Sequence, residues 1–496
     1  MARKTLLRRI TFVLLLAVLA AATVTMVAGA NVAVSIIAID PFTNSTSQHK
    51  TIVEPDSFSF GSTIVAAAQW GRFTDGGSSD IGVSVSSNNG TSWTAQQLPG
   101  ITVYSTPAGP YARVSDPSVA YDARHNVSMV SSLALNASIS GAAVIVSRSL
   151  NGGVTWLNPN NIAVVGNGQD FDKNWTVCDN TPASPFYGSC YTTWDDFGHG
   201  NRLKIAYSRD GGATWTLSKT PNVGVIGAQP VVLPNGNVSV PLDNASETAL
   251  GYTISTNGGV NFGNAFTITS ISAFNDPGNI RSGPLPSAEI SGDGKIYVVW
   301  EDCRFRAGCY TNDLVYTTST NGTTWTAVQR IPIDAVNSTV DHFIPGVAVD
   351  KASSGAAIRV AVGYYYYSNV NCTFATCQLD VGYVSSTNGG STWSAATQFR
   401  GPMTMSWIPN TTQGRMVGDY ISTSYDSAGL AHPVFAEAYV PTAGGTDCAT
   451  ATPNCDQPLE TPTTGLARAA GAATANDPVV FTEAPQPGKS AFKHRR

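Results

Sequence analysis

Short runs in which apolar and polar residues alternate recur along the chain and predict β-strands. Residues 81–85 read Ile-Gly-Val-Ser-Val, and residues 203–207 read Leu-Lys-Ile-Ala-Tyr. Alternation with a period of two is typical of strands that bury one face. Each of these runs leads into an Asn-Gly or Asp-Gly turn, whose residues adopt the positive φ angles of tight hairpins. The pattern therefore predicts an all-β protein built from hairpins.

The turn after these runs belongs to an eight-residue box that occurs six times. Its fullest form is Ser208-Arg-Asp-Gly-Gly-Ala-Thr-Trp215. The six copies end at Trp93, Trp156, Trp215, Phe262, Trp325 and Trp393, and the copy that ends at Trp325 is one residue short. Their aromatic ends lie 47 to 68 residues apart, a period that indicates a propeller or a solenoid. Most copies carry a neutral Asn at the turn, so we interpret the box as a hairpin and not as a calcium loop.

A second repeat lies between the boxes and consists of two apolar strands joined by a short polar turn. Residues 229–237 read Gln-Pro-Val-Val-Leu-Pro-Asn-Gly-Asn. Similar pairs begin near Glu54, Asp116, Asn174, Ser287, Pro345 and Asp419. Each strand pair and the box hairpin that follows it make four antiparallel strands, the composition of a propeller blade. We predict a β-propeller of six or seven such blades, and the seven strand pairs favour seven.

The two ends of the repeat region suggest the domain boundaries. The last repeat, residues 417–440, has no box, and the segment 31–39 can complete its blade with a strand from the N-terminus. We predict one propeller domain over residues 31–445. Residues 446–496 are expected to form a disulfide loop and a low-complexity tail rich in Ala, Pro and Gly.

The N-terminus has the pattern of an export signal. Four basic residues within positions 3–9 precede an apolar run over residues 10–27, and Ala-Gly-Ala at 28–30 offers a cleavage site. The alternative is an uncleaved anchor, because the run is nearly long enough to cross a bilayer. Residues 1–30 are therefore predicted to be a signal peptide or an N-terminal anchor. A membrane is a partner only in the second case, and both alternatives place the chain outside the cytoplasm.

The cysteines agree with export. Eight of them form close pairs in the sequence, Cys178/Cys190, Cys303/Cys309, Cys372/Cys377 and Cys448/Cys455. An even number of cysteines in an exported chain predicts disulfides, here closing short local loops. None of the cysteine pairs has the spacing of zinc ligands. The sequence predicts neither a metal nor a cofactor. The net charge of −5 is not arranged in a basic stripe, so nucleic acid is excluded as a partner.

The box resembles the Asp box, Ser-x-Asp-x-Gly-x-Thr-Trp, of bacterial neuraminidase repeats. The chain is therefore similar to the sialidase-like propeller superfamily over residues 50–440. The resemblance implies a propeller fold and, for a true sialidase, a set of catalytic residues. These are a Tyr nucleophile paired with a Glu, an Asp acid/base, and an arginine cluster that binds the sugar carboxylate. Asp boxes also occur in other glycosidases and in propellers without catalytic activity, so the fold does not decide the chemistry.

The resemblance gives three candidate catalytic residues. Tyr420, in Gly418-Asp-Tyr, is placed like the nucleophile, and Glu437 lies one position away from the family's Glu. Asp75 precedes the first box by about the spacing of the acid/base, with Asp80 as a second choice. Each also has a structural interpretation: Tyr420 as an ordinary strand residue, and Asp75 as part of an Asp-Gly turn.

The arginine cluster of the family is not recognisable. Glu54 stands about where the first Arg is expected, and Asp243 where the second is expected. Gly227 occupies the position of a catalytic Glu, and only Arg304 or Arg306 could serve as the third Arg. A sialic acid carboxylate would be repelled by acids at these positions.

The family layout places further side chains on the loops around the channel. The candidates for substrate binding are Arg72, Asp116, Asp172, Trp194, Asp196, Glu301, Asp302, Arg304, Arg415 and Asp419. Acids beside Trp and Tyr suit a neutral or cationic sugar. We therefore expect a secreted or cell-surface monomer that acts on or recognises an extracellular glycan or glycoprotein, as a glycoside hydrolase if it is an enzyme. The alternative is a non-catalytic propeller that binds glycans or proteins.

Overall fold

The computed structural model describes residues 32–449 and 454–466. These residues contain β-strands and the short 3-10 turns Phe197–His199, Gly355–Ala357 and Met405–Trp407, and no α-helix occurs among them. The all-β prediction is confirmed. The predicted export signal and most of the predicted tail lie outside the described residues.

The strands form antiparallel sheets in which groups of four follow one another along the chain. We call each group a sheet unit and number the units in chain order. Unit 1 contains His49–Phe60, Thr63–Arg72, Ser78–Ser86 and Thr94–Gln97. Unit 2 contains Arg113–Asp122, Val127–Leu135, Gly141–Ser149 and Asn160–Val164. Unit 3 contains Phe171–Cys178, Cys190–Asp196, Arg202–Ser208 and Thr216–Leu217.

The later units have the same order of strands. Unit 4 contains Val225–Ala228 with Val231–Val232, Val238–Asn244, Ala249–Ser255 and Phe266–Ser270. Unit 5 contains Ser287–Ile290, Ile296–Asp302, Asp313–Ser319 and Gln329–Arg330. Unit 6 contains Asp341–Val349, Val360–Tyr367, Gln378–Ser386 and Thr397–Thr404. Unit 7 contains Ser422–Tyr425, Ala431–Ala436, Leu459–Pro462 and Val34–Ala38. The short strands Asn410–Thr411 and Gly414–Arg415 pair with each other, and Asn454–Gln457 pairs in parallel with His49–Phe60.

Each box is the turn between the third and fourth strands of its unit, as the sequence predicts. In the first copy, Ser86 Oγ accepts a hydrogen bond from the Gly90 N–H at 2.9 Å, and Asn88 Oδ1 accepts one from the Ser92 N–H at 3.0 Å. The Trp93 indole donates to the Gly90 carbonyl at 3.0 Å. The same Ser and Asx contacts recur in the other five copies. The box therefore satisfies its own turn, which explains its small polar residues.

Neighbouring units are joined by hydrogen bonds near their first strands, and unit 7 is joined to unit 1 in the same way. From unit 1 onward, the bonds are Val119 N to Asp56 Oδ2, Thr176 N to Ser118 Oγ, Thr193 Oγ1 to Ala228 O, Ala288 N to Gln229 Oε1, Val347 N to Ser287 Oγ, Thr423 Oγ1 to Gly346 O, and Ser57 Oγ to Ser422 Oγ, at 2.6 to 3.1 Å.

Unit 7 combines strands from both ends of the chain. Leu459–Pro462 pairs with Ala431–Ala436 on one side and with Val34–Ala38 on the other. The predicted N-terminal strand is therefore present, but it is separated from the last strand pair by a strand that lies beyond residue 445. The strands Val34–Ala38 and Leu459–Pro462 thus complete the unit that lacks a box.

The four predicted disulfides are present. They join Cys178 to Cys190, Cys303 to Cys309, Cys372 to Cys377 and Cys448 to Cys455. Their sequence separations of 5 to 12 residues make each one a local loop closure. Among the described residues, no helix is long and apolar enough to span a membrane.

Candidate functional site

Four of the first strands contain a β-bulge with a left-handed residue that is not glycine. The residues are Glu54, Asp116, Lys173 and Ile344, with φ between 48° and 53°. The register of the strand pair shifts at each of these positions. Bulges redirect side chains, and left-handed backbone at residues other than glycine costs about 1–3 kcal/mol each and is typical of functional sites. Three of the four side chains are charged and meet in one place.

We call this group the central cluster: Glu54, Arg72, Asp116, Lys173, Arg281 and Asp419. None of the six is more than 8% exposed. Asp419 accepts two hydrogen bonds from Arg281, through Nε at 2.6 Å and Nη2 at 2.5 Å, and it also pairs with Lys173 Nζ. Burial lowers the pKa of Lys173, but the charges of Asp419, Asp116 and Glu54 outweigh it and raise that pKa. Lys173 and Arg281 therefore both stay charged.

Glu54 occupies a different electrostatic environment within the cluster. Its carboxylate accepts a hydrogen bond from the Gln69 amide, while Gln69 Oε1 accepts one from Arg72 at 2.8 Å. Burial and the charge of Asp419 raise the pKa of Glu54 to about 8, against the opposing effect of Lys173 3.9 Å away. The surroundings therefore favour the protonated form of Glu54. In that form the cluster contains three basic side chains, Arg72, Lys173 and Arg281, and two other carboxyl groups, those of Asp116 and Asp419.

The two arginines keep hydrogen-bonding capacity inside the protein. The Nε of Arg72 and the Nη1 of Arg281 are buried and donate to no atom of the described residues. Burial and the charge of Arg281 lower the pKa of Arg72 to about 10. A buried N–H without an acceptor is unfavourable by about 1–3 kcal/mol. These donors and the three basic side chains suit a small anionic group.

An aromatic pair and a cavity lie beside the cluster. The Tyr420 ring meets the Trp175 ring edge-on, with centroids 5.2 Å apart, and the Tyr420 hydroxyl donates to the Pro117 carbonyl at 3.1 Å. The cavity has a volume of about 30 Å³ and is lined by Asp116, Lys173, Trp175 and Tyr420, among others. That volume holds one or two water molecules, so a sugar ring does not fit without movement of the surrounding chain.

Two connectors between units bond to each other and each carries a residue of the cluster. The first, residues 271–286, links units 4 and 5, and the second, residues 405–421, links units 6 and 7. The Arg281 N–H donates to the Arg415 carbonyl, and the Arg415 N–H donates to the Asn279 carbonyl, both at 2.7 Å. The Thr412 N–H reaches the Thr74 carbonyl of unit 1 at 2.9 Å. We call these segments the connector pair. They deliver Arg281 and Asp419 to the cluster from opposite sides.

The three proposed catalytic residues are not in contact in the described structure. Tyr420 lies at the central cluster. Asp75 is half-exposed and ion-paired with Arg113. Glu437 pairs with Arg400 Nε at 3.0 Å and accepts the Tyr439 hydroxyl at 3.0 Å. Burial and neighbouring Glu460 raise the pKa of Glu437 to about 8.

The proposed substrate-binding residues fall into two classes. Arg72, Asp116 and Asp419 belong to the central cluster, and Arg415 lies in the connector pair. The others have local partners or lie in the core. These are Asp172 next to the Lys173 N–H, Trp194 against Phe171, Asp196 with His199, Glu301 with the Ile344 N–H, and Asp302 with Arg304.

A second group of carboxyls adjoins the connector pair. Asn312 donates to Asp341 Oδ1 through its backbone N–H at 2.6 Å and to Asp276 Oδ1 through its amide at 3.0 Å. Burial raises the pKa of Asp276 to about 6, and burial together with the charge of Asp276 raises the pKa of both Asp341 and Glu301. Because none of these shifts is opposed by a cation, protonation is the form that the surroundings favour.

The structure also brings Asp313, Asp334 and His342 close enough to offer a metal three ligand atoms within 4.8 Å of one another. Arg306 and Arg330 each form ion pairs with both Asp313 and Asp334, at 2.6 to 2.9 Å. The two carboxylates are therefore already neutralised, and the group does not fit a divalent cation.

Two residues of the central cluster were missed in the sequence. Lys173 lies between Phe171 and Trp175 in a mostly buried strand, and a lysine between two aromatic residues of such a strand is a signal of buried pairing. Arg281 lies in a connector without periodicity, 138 residues from its partner Asp419, and no local pattern marks it.

Comparisons with known proteins concern the fold. No protein-family model matches this chain, and no curated protein sequence matches it. Among solved structures, a Hadza microbial sialidase aligns with a TM-score of 0.45 and 17% identity, over 64% of this chain and 65% of the sialidase. The matched part is thus less than two thirds of that protein. A protein of unknown function from Dyadobacter fermentans aligns with a TM-score of 0.45 and 15% identity, over 72% of this chain and 99% of that protein. A leech intramolecular trans-sialidase aligns with a TM-score of 0.44 and 12% identity, over 68% of this chain and 67% of that protein.

The chain resembles sialidase-like proteins. At these TM-scores the likeness carries no conclusion about activity, which depends on the site itself.

Proposed function

We propose that the chain is a secreted, sialidase-like propeller of seven blades that hydrolyses extracellular glycans bearing an acidic sugar. Each sheet unit corresponds to one blade, and the cyclic hydrogen bonds between units support the closed arrangement. The propeller extends from Val34–Ala38 to Leu459–Pro462, beyond the boundary expected at residue 445. Four disulfides and the N-terminal sequence support a location outside the cell.

The observation that carries the proposal is the pair of buried arginine N–H groups in a cluster that contains three basic side chains. Arg72 and Arg281 offer Nε and Nη1, respectively, and neither donor has an acceptor among the described atoms. A sugar carboxylate supplies acceptors and a negative charge. The preference for a neutral or cationic sugar, inferred from the acids in the sequence, is therefore replaced: Lys173 and Arg281 turn an acidic centre into a cationic one.

The same cluster supplies groups for glycoside hydrolysis. Glu54 has a pKa of about 8, so it carries a proton at neutral pH that it can donate to the leaving-group oxygen. Asp116 is a second carboxylate close enough to Glu54 to contribute to its raised pKa. Most glycosidases use two carboxyl groups: one protonates the leaving-group oxygen, and the other attacks the anomeric carbon or takes a proton from the attacking water, a role open to Asp116 here. Trp175 and Tyr420 provide aromatic surface for the sugar ring.

Substrate entry requires the connector pair to move, because the cavity beside the cluster is smaller than a sugar ring. The contact that must open first is the backbone pairing of Arg281 with Arg415. Binding of the substrate carboxylate by Arg281 offsets the loss of these contacts. We therefore expect slow association with small substrates.

The test is hydrolysis of fluorogenic glycosides of N-acetylneuraminic, glucuronic and galacturonic acid, with matched neutral glycosides, by the mature chain. Glu54→Gln keeps the size and hydrogen bonds of the protonated side chain but removes the transferable proton. We expect turnover of an acidic glycoside that falls at least a hundredfold in Glu54→Gln. Arg304→Gln, which alters an arginine paired outside the cluster, is the control and should retain activity. Turnover of neutral glycosides alone would contradict the proposal.

The second candidate is a propeller that binds acidic glycans without cleaving them. One observation favours it: the hydroxyl of Tyr420 is occupied by the Pro117 carbonyl, and Glu437 is directed to Arg400 instead of Tyr420. In that case the acidic sugars bind, Arg281→Gln abolishes binding, and no glycoside of the panel is hydrolysed.

A further inference from the structure

The other end of the first inner strand leads to a separate cleft. The strand His49–Phe60 carries Glu54 near its middle and Phe58 and Phe60 at its end. At about 3.3 Å per residue, Phe60 lies roughly 20 Å along the strand from the central cluster. Two cavities of about 270 and 260 Å³ meet at Phe58, Phe60 and Gly61. We call their union the distal cleft.

Aromatic rings form the floor of the distal cleft. Phe60 is 44% exposed, and its ring lies 4.2 Å from the ring of Tyr121 at an angle of 31°. Phe58 is half-buried beside them, with the Lys351 ammonium 4.7 Å from its ring centroid. An exposed phenylalanine next to a tyrosine presents a flat apolar surface with a polar edge.

Uncharged polar groups surround this surface. The Tyr121 hydroxyl donates to Asn126 Oδ1 at 2.7 Å, and Asn126 lines the first cavity. Asn180 lines the second cavity, and its amide donates to the Tyr121 carbonyl at 2.8 Å. Ser424 and Ser59 add hydroxyls that bond to each other at 2.7 Å.

The charged residues that line the distal cleft have partners of their own. Lys351 lies 4.0 Å from Glu289, and Asp350 pairs with Arg359 behind the cleft. Burial lowers the pKa of His432, which lies 3.1 Å from Asp426 and adds no positive charge at neutral pH. The buried Asp426 carboxylate is bound instead by the backbone N–H groups of Ala428 and Leu430. The cleft therefore offers no free cation to an anionic ligand, in contrast to the central cluster. The cleft therefore suits an uncharged molecule with an apolar face and several hydroxyl groups.

We infer that the distal cleft binds a neutral oligosaccharide. The C–H face of one sugar ring stacks on Phe60 and Tyr121, and its hydroxyls bond to the amides and hydroxyls around the rings. The two adjoining cavities give room for neighbouring sugar units, since ligand sites are commonly a few hundred Å³. The inference does not depend on hydrolysis at the central cluster. It assigns the protein a second glycan contact at the opposite end of the inner strands.

The test is titration calorimetry and saturation-transfer NMR of the mature chain with cellotetraose, xylotetraose, mannotetraose and maltotetraose. We expect at least one to bind with a Kd of ~1 mM or tighter, about −4 kcal/mol. Phe60→Ala should weaken that binding at least tenfold. Phe266→Ala is the matched control, because Phe266 is also exposed, at 56%, and also adjoins a tyrosine ring, but lies on an outer strand.

The outcomes separate this inference from the proposed hydrolysis. Glu54→Gln should bind the neutral tetrasaccharide as the wild type does, whatever its activity. The inference is overturned if no tetrasaccharide binds at ~10 mM, if Phe60→Ala binds as tightly as the wild type, or if Phe266→Ala loses binding equally. Because Phe60 is exposed, its substitution leaves the core intact, and circular dichroism checks this directly.

Discussion

Replacing Asp419 by Asn tests whether the central cluster is held together by its charges. Asp419 accepts two hydrogen bonds from Arg281, at 2.6 and 2.5 Å, and pairs with Lys173. The Asn side chain keeps the shape but leaves two buried cations without their main counter-charge. Breaking a buried ion pair by removing one partner typically costs about 3–5 kcal/mol. We expect a destabilisation of that size in Asp419→Asn.

The assay is urea unfolding at pH 7, followed by tryptophan fluorescence, with Asp75→Asn as the matched control. Asp75 also pairs with an arginine, Arg113, but its side chain is 47% exposed. Exposed pairs contribute about 0–1 kcal/mol, so the control should unfold near the wild-type midpoint. The reasoning is refuted if Asp419→Asn costs less than about 1 kcal/mol, or no more than Asp75→Asn.

Three further predictions concern stability. The carboxyl of Glu54 has a pKa of about 8, against 4.5 in the unfolded chain. Its contribution to folding stability is therefore complete below pH 4.5 and is lost as the pH rises through 8. The urea midpoint of the wild type should fall between pH 6 and 9, and the fall should be smaller in Glu54→Gln. Replacing both Cys178 and Cys190 by Ser opens a loop of 12 residues and should cost about 3 kcal/mol, measured without reductant as a thermal midpoint lower than that of the wild type. Deleting Val34–Ala38 exposes the edge of Leu459–Pro462 and should lower the thermal midpoint and promote aggregation in light scattering; an unchanged midpoint would contradict the pairing.

The repeats made much of the sheet structure predictable. The boxes combine a turn that only Gly and Asx residues accommodate with a Trp that caps it, so the sequence specifies the hairpin locally. The pairs Cys178/Cys190 and Cys372/Cys377 were equally local. The strand Leu459–Pro462 was not foreseen, because it lies after a disulfide loop and carries no box or turn signal.

The central cluster was only partly predictable, for a physical reason. Arg72, Asp116, Asp419 and Tyr420 were proposed from the layout of the family that the boxes resemble. Arg281 reaches the cluster from a long connector, and its role depends on a partner far away in the chain. The bulge at Lys173 turns its side chain inward, and alternation alone cannot predict that reversal. The sign of the site's charge, and with it the expected sugar, changed with these two residues.

The measurement that tests the central claim most directly is the affinity of the mature chain for an acidic sugar and for its methyl ester. Calorimetry with N-acetylneuraminic, glucuronic and galacturonic acid glycosides and their esters compares ligands that differ in the charge of the carboxyl group and by one methyl group. We predict that one acid binds at least tenfold more tightly than its ester, and that Arg281→Gln removes the difference while Arg304→Gln preserves it. Equal affinity for acid and ester, or no binding of any acid, would contradict the assignment of Arg72 and Arg281 as a carboxylate site.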